Sequence, residues 1–567
     1  MGAEILESVM EADVVVIGSG AGGLTAAIVA ARQGLKVVLL EATETFGGTT
    51  AISGGGVWIP ANRHMAELGF DDSVDSARAY LQAVLGNHFD AAKIDAFLTV
   101  GPRMVEYLED NTELQLAASN VPDYAPGQPG WNQGRCMLTA SYPAGRLGSK
   151  LFARLRRPLA EFGLFGSMQI TPAEGYMMAR WRTSRAFAML AARRFAGYAW
   201  DRIRGKRGQV LCNGNALAAQ LLKSAADAGV TLLAEHRATG LLREGDRVTG
   251  VTAEHAGKTL SFTAGRGVIL ASGGFGANEQ MRAELIPQAE AGWSLQPEGS
   301  RGDGIRMGES AGGVLNRGNA ANAIYAPASA FPRADGSLAL FPSLFFDRHC
   351  PGSIMVDART GERFVDESFH YQNFGETCAA KGITRVWQIA DAAAVRTYGL
   401  GLIKPAPFPV GPWVGQGYAK EAVSIADLAP QLGLDTARLE ETVERFNRFA
   451  DAGVDEDFHR GENAYSAYMG DAAHQPNPAL GALREAPFYA IEVRPSQLST
   501  LAGLNTDAQG RVVDAGGNPV PGLYAVGVDS NSLMGGRYPG GGSSLGPAMT
   551  FGYIASLHLA GRDEPLS

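Results

Sequence analysis

The stretch Asp13-Val-Val-Val-Ile-Gly18-Ser-Gly20-Ala-Gly-Gly23 constrains this chain more than any other, because it joins an apolar strand to a glycine-spaced turn and an alanine-rich helix. Val14 to Ile17 show no polar alternation, the pattern of a strand buried on both faces in a parallel sheet. Each glycine answers a separate steric demand: Gly18 permits the tight turn, Gly20 lets backbone approach a pyrophosphate, and Gly23 lets the helix lie close on the sheet. Leu24 to Gln33 read as a helix whose first N–H groups face the phosphates. Lys36-Val-Val-Leu-Leu-Glu41 reads as the second strand, and Glu41 ends it where a ribose 2′-hydroxyl sits. A glycine triplet alone says little. Strand, helix, second strand and terminal acid in register predict a Rossmann-like dinucleotide-binding unit.

Which dinucleotide follows from Gly47-Gly48-Thr49-Thr50-Ala51-Ile52-Ser53-Gly54-Gly55-Gly56. This segment resembles the one that lies against the flavin in flavoproteins of the two-dinucleotide-fold type, where small residues and hydroxyls let backbone touch a flat ring. Gly48, Thr49, Thr50, Ser53, Gly54 and Gly55 are therefore candidate cofactor contacts. Near the C-terminus, Gly522-Leu-Tyr-Ala-Val-Gly-Val-Asp529 is a further buried strand ending in an acid. Asp529 reads either as a bond to the ribityl chain or as a helix N-cap or turn residue. Gly267-Val-Ile-Leu-Ala-Ser-Gly-Gly274 is similar to the strand that re-enters such a nucleotide domain, with Gly274 beside the cofactor. Ser544 to Leu559 read as a helix whose N-terminus, at Ser544 and Leu545, faces the flavin pyrimidine and favours charge on the reduced ring. No second strand-GxGxxG-helix unit occurs, so one FAD is expected and no NAD(P) site. Thr49 to Ile52 lack the histidine that some flavoproteins use for covalent attachment, so the FAD is expected to be non-covalent.

With 567 residues, 46% of them hydrophobic, the chain can bury several cores. Nucleotide-binding pieces lie at both ends. The fold class is therefore α/β, α+β overall: a Rossmann-like FAD-binding domain over 1–280 and 491–567, interrupted by a smaller α+β substrate-capping domain over 281–490. Cys136, Cys212, Cys350 and Cys378 are widely spaced, which suggests neither a disulfide framework nor a metal site and suits a reducing, cytoplasmic compartment. Met1 to Glu7 carry acids where a signal peptide needs bases, and no apolar run reaches the roughly 18 to 20 residues of a membrane span.

Charge is unevenly spread. Residues 150–207 hold thirteen Lys/Arg and three acids, +10 inside a chain of −9, which leaves −19 for the rest. Within that basic insert Phe187, Leu190, Ala191, Phe195 and Tyr198 fall on one side of a helix. Two readings stand level: a peripheral membrane-surface element on the inner face of the cell membrane, and a helical cover over the active site with solvated arginines. No nucleic-acid-binding module accompanies the charge, and no nucleic-acid partner is expected.

Five further pieces carry a family likeness: Gly47 to Pro60, Pro122-Asp123-Tyr124, Gly302-Asp303-Gly304, Gly361-Glu-Arg-Phe-Val-Asp-Glu367 with Tyr371 after it, and Arg537-Tyr538-Pro-Gly-Gly-Gly542. Through them nearly the whole chain resembles the 3-ketosteroid Δ1-dehydrogenases of the fumarate reductase/succinate dehydrogenase flavoprotein superfamily. The resemblance implies a 1,2-desaturation of a 3-ketosteroid, in which a base takes a proton from C2 and hydride passes from C1 to flavin N5. It implies Tyr371 as that base, Tyr124 hydrogen-bonded to it, the Tyr538 hydroxyl and Gly542 N–H on the C3 carbonyl, and a quinone or another electron acceptor. Such chemistry needs preorganised donors where negative charge develops on oxygen, and a phenol plus a free N–H supply two. Alternatives remain open at this point. His370 is a second candidate base, Tyr371 then being a core aromatic, and Tyr124 lies in what is also a turn sequence. Arg537 keeps a dicarboxylate or enoate reductase in view; a Δ4 ketosteroid desaturase and a non-catalytic flavin-holding binder are the other readings.

Overall fold

Residues 9–180, 184–286 and 292–562 are described by the computed structural model of the protein. Met1 to Glu7 and Arg182 of the basic insert lie outside the described residues. Parallel pairing of strand Val9–Ile17 with Val37–Leu40 on one side and Lys258–Leu270 on the other builds the centre of an eight-stranded sheet. Thr231–Leu233 extends it beyond Val37–Leu40, and Pro519–Ala525 with Arg511–Val513 extends it beyond Lys258–Leu270. Val14, Val15 and Val16 are fully buried, as an unalternating strand between two helix layers requires. Ile17, Leu40, Leu270 and Ala525 finish in register at one edge. That carboxyl edge is where open α/β sheets bind ligands.

Helix Ala21–Arg32 follows at once, and a second helix, Leu545–Leu559, packs on it. Glycine makes this close approach feasible: a Cβ on Gly552 would stand 2.6 Å from the Gly22 carbonyl oxygen. Ser556 Oγ ties the pair by donating to the Ala26 carbonyl at 2.7 Å. Two helix N-termini thereby reach the same carboxyl edge.

A second sheet of six antiparallel strands forms the cap, in the order Leu338–Pro342, Ala323–Pro332, Phe488–Thr500, Val386–Asp391 and Ser353–Asp357, with Ala419–Ala422 also on Phe488–Thr500. Strand Phe488–Thr500 pairs within this sheet as far as Thr500 opposite Ala323. The chain thus stays in the cap sheet as far as Thr500. Gly361 to Glu367 build an ion network inside the cap: Glu367 meets Arg363 at 2.8 Å and Arg460 at 3.1 Å, and Arg363 meets Asp455 at 2.8 Å. Arg348 and Arg460 then bind the Phe369 carbonyl and Ser368 hydroxyl, fixing the segment that leads into helix Tyr371–Lys381.

The basic insert contributes helix Pro172–Ala179, opened by a Thr171/Glu174 capping box, and helix Arg185–Ile203. Met168, Met178 and Ala191 make its small core, with Leu190 and Tyr198 packed against them. Among the described residues no helix is long and apolar enough to cross a membrane.

Candidate active site

A cavity of about 920 Å³ runs from the Gly18–Gly23 turn to the interface with the cap. Gly18 has φ +104°, and a Cβ there would lie 2.1 Å from the Ala271 carbonyl oxygen. A Cβ on Gly23 would lie 2.1 Å from the Gly18 oxygen, so both glycines are sterically required. At Gly20 the Cβ direction is nearly open, with Thr50 Oγ1 the nearest atom at 3.7 Å, so backbone is bare to the cavity. Glu41 is buried at the end of its strand; its carboxylate accepts from Ser19 N–H and Oγ and from Thr43 N–H and Oγ. Thr50 Oγ1 accepts from the Ala21 N–H at 3.0 Å. Gly48, Thr49, Ser53, Gly54, Gly55, Ser544 and Leu545 complete this wall.

These residues fit a flavin dinucleotide. Thr49, whose Oγ1 is buried without a hydrogen-bond partner, lines the cavity, and the N-cap residues of the two bordering helices, Gly20 and Ser544, make no side-chain cap bond. Two helix N-termini side by side at one edge of the cavity suit anionic or electron-rich oxygens of a bound ligand.

Two predicted contacts lie elsewhere. Asp529 is fully buried behind the cavity wall, where its carboxylate accepts the N–H groups of Ser272 at 2.5 Å and Gly274 at 2.9 Å. It fixes a turn, and its oxygens are spent on backbone. Gly274, with φ +72°, packs its Cα against Thr500 Oγ1 and donates to Asp529, so Ser272 and Gly273 form the lining in its place. The Gly302-Asp303-Gly304 motif closes on the same acid, since a Cβ on Gly304 would stand 2.2 Å from Asp529 Oδ2.

At the cap end of the cavity four phenols gather from both domains. Tyr124 and Tyr538 come from the FAD-binding side, Tyr371 and Tyr465 from the cap. The Tyr124 ring centroid lies 6.0 Å from Tyr371, 5.7 Å from Tyr538 and 4.7 Å from Tyr465, and Tyr371 lies 5.7 Å from Tyr538. The Tyr371 hydroxyl lies within the electrostatic reach of the Tyr538 and Tyr124 hydroxyls, and the Tyr538 hydroxyl lies within that of Ser544 and the Gly542 N–H. Desolvation lifts Tyr371 well above the ordinary phenol range, with the Tyr538 charge adding to the rise, while the Tyr124 hydrogen bond works against it. Tyr371 is the first residue of its helix, whose positive end also favours a phenolate.

His370 is placed differently. It caps the same helix, with Nδ1 accepting the Asn373 N–H at 3.2 Å, and its ring stacks on Tyr124 at 4.8 Å. Burial, followed by the charge of Arg348, pushes it down to about 3. A histidine whose acceptor nitrogen is occupied and whose basicity is that low is a poor proton acceptor.

Backbone and ion pairs hold the phenols in register. Pro539 carbonyl accepts from the Tyr124 N–H at 2.8 Å and the Tyr80 hydroxyl at 2.7 Å, which joins the Tyr124 and Tyr538 loops at one atom. Asp123, beside Tyr124, accepts from Trp58 Nε1 and from Arg135, both at 2.7 Å; Arg135 also binds Asp72. Trp58 N–H in turn donates to the Gly542 carbonyl. Gly542 has φ +90°, and a Cβ there would lie 2.5 Å from the Gly56 oxygen. Arg537 is exposed and outside the cavity lining, so its guanidinium does not enter the site.

Tyr465 escaped the sequence reading. It is buried in the short helix Ala464–Met469, and burial pushes its phenol up to about 12. The local signals, an Asn463 cap and a Tyr-x-x-Tyr spacing, are those of any short amphipathic helix.

Residues 13–545 match the family described as FAD binding domain. The chain is 35% identical to a 3-oxosteroid 1-dehydrogenase of Mycolicibacterium smegmatis, over 97% of each chain. It is 36% identical to a 4-oxocyclohex-2-ene-1-carboxylate 5-dehydrogenase of Sinomonas cyclohexanicum, over 97% of this chain and 93% of that one. Its fold superposes with a TM-score of 0.90 on a crystal structure of 3-ketosteroid Δ1-dehydrogenase from Sterolibacterium denitrificans in complex with 1,4-androstadiene-3,17-dione, at 34% identity over 97% of this chain and 99% of that chain. The chain belongs to the FAD-binding-domain family of flavoproteins and, within it, to the 3-ketosteroid Δ1-dehydrogenases.

Proposed function

We propose that the protein catalyses FAD-dependent 1,2-desaturation of 3-ketosteroids, and the observation that carries this is the convergence of Tyr371, Tyr124 and Tyr538 beside Gly542 at the mouth of the dinucleotide cavity. Bound FAD supplies the hydride acceptor for C1. The chain does the rest. The Tyr538 hydroxyl and Gly542 N–H hold the C3 carbonyl oxygen and stabilise the charge that develops there, each donor worth about 2.7 to 4 kcal/mol in comparable sites. Tyr371 takes the C2 proton, and Tyr124, locked by the Asp123–Arg135 pair, stabilises the resulting phenolate. The exposure of Arg537 speaks against a dicarboxylate reductase, whose substrate needs cations in the pocket. A relative named for a one-ring keto acid shares the cyclic ketone, yet the mostly apolar cavity of about 790 Å³ that adjoins the one these tyrosines line suits a polycyclic one. Anaerobic mixing with androst-4-ene-3,17-dione, succinate and 4-oxocyclohexanecarboxylate tests the reading. Flavin bleaching by the steroid alone is expected; bleaching by either acid without the steroid overturns it.

We also propose that the basic insert rests on an anionic lipid surface. Phe165 is 60% exposed, Met189 68%, Trp200 54% and Ile203 77%, all within the arginine-rich segment, an arrangement suited to interfacial binding. The same segment covers the cavity, so the two roles assigned to it are compatible. A lipid-borne quinone is the electron acceptor we favour. Co-pelleting with phosphatidylglycerol vesicles tests the contact: Trp200→Ser with Ile203→Ser should release the protein, and equal partitioning of variant and wild type would remove the idea.

A further inference from the structure

A second cavity of about 790 Å³ opens off the first, between the basic insert and the cap. The two share walls at Ile52, Phe162, Pro172, Tyr176, Leu344 and Phe346, whereas Tyr371 and Tyr538 line only the first. Three charged side chains line the second: Arg180, Asp347 and Lys404. Arg180 is ion-paired with Asp471 and lies over the Tyr176 ring. Asp347 accepts from Ser343 Oγ at 3.0 Å, Arg348 N–H at 2.6 Å and Gly401 N–H at 3.0 Å.

Lys404 is the exception. Its ammonium stands 5.2 Å over the Phe341 ring and donates to the Glu161 backbone carbonyl. The Glu161 carboxylate is taken by Arg333 instead, and among the described residues no acid closes an ion pair with Lys404. An ammonium has three N–H donors, and even a half-buried cation left without an anion is costly. Burial, partly offset by the charges of Glu161 and Asp347, lowers it to about 8, so it stays largely protonated at neutral pH.

A 3-ketosteroid is a rigid body with its ketone at one end and its side chain at the other. Resting on the function proposed above, with the ketone between Tyr538 and Gly542, the side chain enters the second cavity. We infer that this cavity receives the side chain of a steroid acid, and that Lys404 pairs with the terminal carboxylate. The partner class is thus an anionic ketosteroid, distinguished from its neutral analogues at the end remote from the chemistry.

The test compares kcat/KM for 3-oxochol-4-en-24-oic acid and its methyl ester, with androst-4-ene-3,17-dione as reference. Wild type should favour the acid by about tenfold, Lys404→Met should lower the acid-to-ester ratio by about tenfold, and Lys404→Arg should keep most of it, as a desolvated ion pair predicts. A wild-type ratio near one, or a ratio unchanged in Lys404→Met, overturns the inference. Because the ratio is internal, it needs only folded holoprotein; if Lys404→Met does not yield any, the wild-type ratio decides alone. A wild type that oxidises androst-4-ene-3,17-dione but shows no acid preference loses this inference only, whereas one that oxidises no ketosteroid loses the parent function with it.

Discussion

Following flavin reduction across pH, in wild type and in Tyr371→Phe, pits the two candidate bases against each other. Desolvation holds the Tyr371 phenol well above its ordinary value of about 10, although the Tyr124 hydrogen bond pulls it down. A base acts in its deprotonated form, so below its pKa the competent fraction grows tenfold for each pH unit. From about pH 7 to about pH 10 the limiting rate should therefore climb by about 10³, with no plateau in that window. His370 predicts the reverse. Pressed to about 3 by burial and by Arg348, it is fully deprotonated throughout the neutral range, so a histidine base gives a flat profile. The measurement is anaerobic stopped-flow bleaching of the flavin by saturating androst-4-ene-3,17-dione. Tyr371→Phe should cost about 10² to 10⁴ in rate and abolish the slope. A flat wild-type profile would refute the reasoning, and so would a Tyr371→Phe enzyme within a few-fold of normal beside an inactive His370→Ala.

Tyr538→Phe removes one of the two carbonyl donors and should lower kcat by about 10² to 10³ with a smaller change in KM; a loss under fivefold in steady-state assays would argue against its role. Gly542→Ala forces a Cβ to 2.5 Å from the Gly56 oxygen at φ +90°, and should cost about 1 to 3 kcal/mol in holoprotein stability, read by thermal unfolding. Glu41→Gln weakens the bonds to Ser19 and Thr43, and FAD titration of the apoprotein should show affinity down by about 10 to 100-fold. Acid precipitation should leave the flavin in the supernatant; colour retained in the pellet would mean a covalent link.

Local sequence made some of this architecture plain and hid the rest, for physical reasons. The Gly18–Gly23 turn could be read because each glycine is demanded by a contact within one strand-turn-helix unit. Tyr538 stood out because an aromatic before Pro-Gly-Gly-Gly is poor core material, and it does line the cavity. Asp529 shows the limit. A strand ending in an acid looks the same whether its carboxylate meets a ribityl chain or two backbone N–H groups, and here the partners, Ser272 and Gly274, lie more than 250 positions away in sequence. Tyr465 was invisible for a related cause: it meets Tyr124 through tertiary contacts, among them the Ser466–Asp366 bond, at 2.5 Å, that helps fasten its short helix beside the Tyr371 segment. The residues of the insert that wall the second cavity read simply as amphipathic, since helical periodicity reports that a face is buried and not what it is buried against.

Two of the four phenols come from the side of the eight-stranded sheet and two from the side of the six-stranded sheet. On the function proposed here, catalytic competence is therefore a property of their seam, because the phenol assigned the proton and its partners come from opposite sides of it. Substitutions that merely loosen the seating of one body on the other should silence turnover while leaving the protein yellow, an inherited lesion that no inspection of the reacting groups would reveal.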